Sequence, residues 1–161
     1  VSAQHQTTFE TQRGISSVEV SRGHSLVIVT GIPETEADEK RLFALRRLAL
    51  AGLSIDFLKL SLDGFSFLVP EEDGAKAEEA LCQAGLTAKA VKNRAIITVK
   101  APNIRDESGL VARVAELVVR SGASIDSVGD MHSSVLLVVD ASVADKAAKS
   151  LETLIGKVDA V

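Results

Sequence analysis

The sequence contains no tryptophan and no tyrosine, and five phenylalanines are its only aromatic residues. Proteins that hold single-stranded nucleic acid stack bases on aromatic rings, and nucleic-acid binders in general gather lysine and arginine into a basic patch. With a formal net charge of −4 and 3% aromatics, this chain argues against that class, and we expect no nucleic-acid partner. It has a single cysteine, Cys82, so no internal disulfide can form, which suits a reducing cytoplasm. Cys82 falls in an apolar helical pattern and is expected to be a buried, inert thiol. No apolar run approaches the ~18 residues of a membrane span, and no signal peptide is visible, so no membrane partner and a cytoplasmic location are expected.

Catalytic constellations are missing as well. His5, His24 and His132 fall in a polar tail and two expected turns, without cysteine or acidic partners at metal-ligand spacing. The sequence has no GxSxG, HExxH, CxxC or GxxxxGK[ST]. Asp56 and Asp126 each stand at the start of a strand beside a helix end, where carboxylates commonly bond loop amides rather than act in catalysis. We therefore expect a protein without catalytic residues, metal or cofactor, and not an enzyme.

What is present is a duplication. GLSID at Gly52–Asp56 returns as GASID at Gly122–Asp126, and the offset of 70 also joins Val29 to Val99, Val69 to Val139 and Leu81 to Leu151. The chain has 161 residues, 46% of them hydrophobic, enough for two small domains with aliphatic cores. After a polar tail or linker at 1–13, Ile15–Ser21 reads as a strand closed by Arg22–Gly23, and Leu26–Pro33 as a second strand. Thr35 and Asp38 stand at capping-box spacing before a helix from about Asp38 to Ala51. Two strands joined at Asp63–Gly64, a short helix capped by Asp73 and a strand at LTAKAV complete the first copy.

The second copy repeats this order. AIITVKAP is a strand, Asp106 caps a helix from about Ser108 to Ser121, two strands turn near Gly129–His132, and Ser142 with Asp145 forms a capping box for the last helix. Each copy thus reads β-α-β-β-α-β, the ferredoxin-like plan, and the class is α+β with antiparallel sheets and helices on one face. The second copy lacks its last strand, and the early strand at Ile15–Ser21 is the spare that can complete it. The expected units are therefore 24–92, and 14–23 plus 93–161, with the first inserted into the second. SIDFLKLS, AIITV and SVLLVV are apolar on both faces, and the helix from about Ser108 to Ser121 is mostly apolar apart from a strip of Arg113, Glu116 and Arg120. That much apolar surface points to units that pack together and to two chains that then associate. The plainer alternative is that the units bury only each other.

The loops before the first helix of each copy are the remaining candidates for binding. In APNIRDESGLVAR, Gly109 follows Asp106 and Ser108 and leads into a helix, whose unpaired amides and dipole can take a carboxylate. Asp106 or Glu107 could pair with an ammonium group, although Asp106 as a plain cap explains the loop equally well.

GISSVEV, VIVTGIP, LALAGLSIDFL, DGFSFLVPEED, SGLVARVAELVVRSGASID and SVLLVVD together resemble tandem ACT domains, and above all the regulatory region of aspartokinases. The resemblance covers Gly14–Gly156. It implies an amino-acid effector of the lysine or threonine class, bound at ACT–ACT interfaces, and control of a biosynthetic enzyme; a kinase catalytic domain and a second copy of the chain are the implied partners. Carried over by position, the site draws on Ile32 and Pro33 within Gly31–Asp38, and on Ser54, Ile55 and Asp56, in the first copy. The second copy offers Asn103, Ile104, Arg105, Asp106, Glu107, Ser108, Gly109 and Leu110, with Ser124, Ile125 and Asp126. The chain departs from the family in its PETEADEKR loop, which lacks the usual glycine, in Leu60 where a glutamine is usual, and in Ser54 and Ser124 where asparagine is common. The Val at position 1 and the polar lead-in suggest an excised regulatory region, a free-standing regulatory protein being the alternative. A structural module that only dimerises is the second functional reading.

Overall fold

A computed structural model describes residues 14–102, 104 and 108–157 of the chain. Its elements run β1 (Ser17–Thr30), α1 (Ala37–Leu50), β2 (Asp56–Ser61), β3 (Gly64–Pro70), α2 (Gly74–Gln83), β4 (Thr87–Lys100), α3 (Leu110–Arg120), β5 (Ile125–Met131), β6 (Ser134–Asp140) and α4 (Ala141–Glu152). Two strands are longer than the sequence suggests. The stretch Ile15–Ser21 and the strand after it form one continuous β1, and LTAKAV runs on into AIITVK as β4. Arg22–Gly23 bends the first without ending it, with Gly23 at φ +80, and Asn93 at φ +57 does the same in β4. A single left-handed residue kinks a strand while its neighbours stay in the ladder. His24 consequently lies in β1 opposite Pro70, not in a turn.

By contacts the chain divides into the unit Arg22–Ala95 and a second unit made of the segments ending at Ser21 and beginning at Ile96. Both are ferredoxin-like. In the first, the strand order is β2-β3-β1-β4, with β1 and β2 each antiparallel to β3. Val27 and Val29 of β1 and Phe65, Phe67 and Val69 of β3 share one face. Against them pack Ala37, Ala44 and Leu48 of α1 and Ala77 and Leu81 of α2, so both helices cover that face. The spacing of these helical residues is what a single buried stripe requires. Leu26 and Leu68, on the other face of the same strands, are also buried.

The second unit uses the order β1-β4-β6-β5. Ile97 and Val99 of β4, Val135, Leu137 and Val139 of β6, Val114 and Val118 of α3, and Ala144, Ala147 and Leu151 of α4 are fully shielded from solvent. The start of β1 is tied to the end of β4: Ser16 donates its amide to Lys100 O at 2.8 Å, and Lys100 Nζ meets Glu19 Oε1 at 2.5 Å. Ile15 bridges to Ile155 just past α4.

The helix starts differ from the expected caps. A 3-10 turn at Glu34–Glu36 precedes α1, and neither α1 nor α2 has a side-chain cap, so the Thr35–Asp38 box and the Asp73 cap do not form. For α4 the cap is Asp140, whose carboxylate accepts the Ser142 amide at 2.9 Å, not Ser142 with Asp145. The turns are displaced too. Ser61 pairs with Gly64, so Leu62–Asp63 forms the first hairpin turn, and Met131 pairs with Ser134, so His132–Ser133 forms the second. Gly64 has another reason to be glycine: a Cβ there would lie 1.9 Å from Val29 O. Cys82 is exposed, its thiol facing Ala88 O at 3.7 Å, because the buried stripe of α2 runs through Ala77 and Leu81 instead.

Gly64→Ala should lower stability by about 2 kcal/mol or more, because the clash is with backbone that cannot rotate away. Asp140→Ala should cost only about 1 kcal/mol, the value of one cap. Urea unfolding of both variants measures the difference, and equal losses would contradict the close approach at Gly64.

Candidate functional site

The two segments expected to form a site in each unit lie at opposite ends of its sheet. In the Arg22–Ala95 unit, Asp56 stands opposite Leu68, which in turn stands opposite Leu26 near the start of that run of β1. Leu60 stands opposite Phe65, which pairs with Val29 at the end of β1, and the Ile32 amide donates to Asp63 O at 2.8 Å. The loop after β1 is therefore beside the end of β2, while Ser54, Ile55 and Asp56 are at its beginning, about 16 Å away by strand rise. The other unit repeats the arrangement. The Ala101 amide donates to Ser133 O at 2.8 Å, beside the β5–β6 turn, whereas Ile125 pairs with Val139 at the far end.

The expected residues divide by burial. Ile32 and Ile104 are buried, Leu110 is buried at the start of α3, and Ile55 packs on the core of its unit. Pro33, Ser54, Asp56, Ser108, Gly109, Ser124 and Asp126 are exposed, and Ile125 is half-buried. Gly109 is the first-turn cap of α3 at φ +81, with its carbonyl accepting from the Arg113 amide at 2.9 Å. Asn103, Arg105, Asp106 and Glu107 lie outside the described residues.

Two features have no counterpart in the sequence reading. Both edge strands carry a bulge directly after Ser-Ile: the register shifts between Asp56 and Lys59 in β2, and between Ile125 and Ser127 in β5. An extra residue moves everything beyond it to the other face. In β2 it places Leu60 opposite the core residue Phe65 and sends Lys59 away, over the Phe57 ring at 5.5 Å. Phe57 itself takes φ +54, the conformation that makes the shift.

The second feature is a cleft of about 530 Å³ lined by Glu34, Ala37, Asp38, Arg41, Leu60, Ser61 and Leu62. Its size falls within the usual range for a small-molecule site. Arg41 holds it together: the guanidinium donates to Ser61 O and, through Nε, to Gly64 O at 3.4 Å, so the first turns of α1 are tied to the hairpin tip. Nη1 also lies 3.7 Å from the exposed carboxylate of Asp38. Glu34, Glu36, Asp38 and Glu39 put four carboxylates at the helix start, where the dipole favours negative charge. Arg41 has no signature in the sequence, because its partners are the backbone carbonyls of Ser61 and Gly64. Among the described residues no group of histidines, cysteines and carboxylates could hold a metal, and no helix is long and apolar enough to cross a membrane.

No protein-family model and no curated protein matches this chain. Solved structures do. The regulatory subunit of aspartate kinase from Thermus flavus superposes with a TM-score of 0.79 at 17% identity, over 88% of this chain and 98% of that one. This is the fold of the aspartate kinase regulatory region. Aspartate kinase from Synechocystis matches 91% of this chain at TM-score 0.75 and 18% identity, this chain spanning 28% of its length. E. coli aspartokinase III, in its T-state complex with lysine and aspartate, matches 86% at TM-score 0.70 and 12% identity, with 32% of that chain spanned. The chain therefore consists of two units with the ACT-like fold.

Arg41→Gln should destabilise the protein by about 1.5 kcal/mol, since a charged donor to two carbonyls is lost. Asp38→Asn should shift the denaturation midpoint far less than Arg41→Gln, because its carboxylate is fully exposed and only the helix dipole favours it. Denaturant unfolding of the two variants separates the hydrogen bonds from the ion pair.

Proposed function

We propose that this chain is a regulatory module that binds an amino acid of the lysine or threonine class between ACT units and thereby controls an aspartokinase-type biosynthetic enzyme in the cytoplasm. The observation that carries the reading is the fold shared with the Thermus flavus regulatory subunit over 98% of that chain, joined to the split geometry of the expected site. A loop and a strand start that lie at opposite ends of one sheet can serve one ligand only when a second unit supplies the missing half. The ligand would then be clamped between two units, and its differential affinity for two arrangements of them would transmit the signal. We take the units as 24–92 and 14–23 plus 93–161, after a tail at 1–13, working as a homodimer beside a kinase catalytic domain. The catalytic step belongs to that domain and not to this chain.

The loop at Asn103–Leu110, with Ser124–Asp126, is the better effector site. Gly109 lies open at the start of α3, with nothing within 4 Å of where a Cβ would stand, so ligand atoms can approach the backbone there. In the other unit the loop presents Glu34, Glu36, Asp38 and Glu39, which repel a ligand carboxylate. That acidic loop favours the second reading, a module that only dimerises.

Isothermal titration of the full chain with lysine, threonine and the other amino acids decides between them. Saturable binding is the expected outcome, and Gly109→Val, which both crowds the open backbone and strains the left-handed start of α3, should abolish it. Binding of none would favour the dimerisation module, and binding that survives Gly109→Val would remove this loop from the site.

A further inference from the structure

Two strands run from one unit into the other, β1 across the boundary at Ser21–Arg22 and β4 across that at Ala95–Ile96. Each carries a left-handed residue close to its boundary, Gly23 at φ +80 and Asn93 at φ +57. The two stand 70 residues apart, so the kink belongs to the duplicated plan. A Cβ at Gly23 would meet nothing within 4 Å, and asparagine is among the side chains that best tolerate a left-handed backbone. A change of direction in a chain is absorbed by a few residues whose φ and ψ can move, and these two positions have that freedom.

What surrounds the kinks is not duplicated. Glu71 follows β3, and its Oε2 accepts the Asn93 amide at 3.2 Å. Its carbonyl accepts the hydroxyl of Ser25, two residues beyond Gly23, at 3.3 Å. Ser25 is wholly buried, and Gly74 makes room for it, since a Cβ there would stand 2.6 Å from Ser25 Oγ. The backbone of Glu71 is thus fixed to β1 while its side chain grips β4. At the offset of 70, Glu71 becomes Ala141, Ser25 becomes Ala95 and Gly74 becomes Ala144, and alanines can make no such clasp. Glu78 of α2 also takes a β4 amide, that of Ala90, but on the regular part of the strand before the kink.

We propose that Gly23 and Asn93 form a hinge in the two strands that leave the Arg22–Ala95 unit, and that Glu71 is its latch. With the latch closed, β4 is held to the same backbone that holds β1, and neither strand turns at its kink alone. With it open, the Asn93 amide goes to water and both strands can turn. A ligand that favours one setting of the hinge shifts the population toward it. The device exists without any ligand, so its test stands apart from the effector reading.

Pulsed electron resonance reads the hinge in the full chain, between a nitroxide on the native Cys82 and a second on Lys149→Cys, both exposed and one in each unit. With Glu71 intact the distances should form one narrow peak. Glu71→Ala should lose that peak to a broad distribution, and the Asn93 amide should exchange about tenfold faster once its charged acceptor is gone. Glu71→Gln, which keeps an acceptor oxygen, should retain the narrow peak. Glu78→Ala should retain it too, although it also takes a carboxylate from a β4 amide. The core amides of Val27 and Phe67 should keep their exchange rates in every variant. A narrow peak in Glu71→Ala, or equal broadening in Glu78→Ala, would overturn the latch. Broadening accompanied by faster exchange at Val27 and Phe67 would be loss of the fold, and would overturn it as well.

Discussion

One extra residue in each edge strand decides what the rest of the surface can do. Strands alternate their side chains, so the shift between Asp56 and Lys59 moves every later residue of β2 to the opposite face. Without it Lys59 would point at the helices and Leu60 away from them. With it, Leu60 lines the cleft beside Ala37 and Arg41 of α1, and the lysine rests on Phe57. Phe57 accepts a left-handed backbone at φ +54 to make the shift, a conformation that a bulky side chain adopts only when its surroundings over-determine it. The second unit has the same shift between Ile125 and Ser127, so the bulge belongs to the duplicated plan. The chemistry hung on it has since diverged, to leucines in one copy and to Asp130 and His132 in the other.

The helix starts diverged in parallel. In the Arg22–Ala95 unit a short 3-10 turn with acidic side chains leads into α1, and Arg41 fastens that helix to the hairpin through Ser61 O and Gly64 O. The equivalent of Arg41 is Val111, which is 40% exposed and can make no such tie. There the loop leads through the left-handed Gly109 directly into α3. One copy thus has a braced, acidic helix start beside an apolar edge, and the other an open backbone beside an edge that carries Asp130 and His132.

The duplication and the order of elements were legible because they rest on repeated words: GLSID and GASID stop a helix and start a strand in both copies. The interruption of β1 at Arg22–Gly23 was misread because an Arg-Gly pair looks the same whether it kinks a strand or ends it. The caps failed for a related reason. Thr35 and Asp38 have suitable side chains and spacing, but the 3-10 turn at Glu34–Glu36 displaces the geometry a capping box needs. Cys82 shows the limit of a helical pattern as a guide, since Gly74, Ala77 and Leu81 face inward on α2 and leave the thiol outside. The bulges and the Arg41 contacts are backbone features, and nothing in a side-chain pattern announces them.

Beyond the bulges the two edges differ in side chains, exposed leucines at Leu58, Leu60 and Leu62 along β2 against Val128, Asp130 and His132 along β5. Amide hydrogen exchange of the full chain, followed residue by residue at low and high protein concentration, tests that contrast most directly. Outward-facing amides of Lys59–Ser61 should exchange more slowly as concentration rises, while those of Gly129–Met131 keep the same rate. No change at β2, or equal slowing at both strands, would contradict the account.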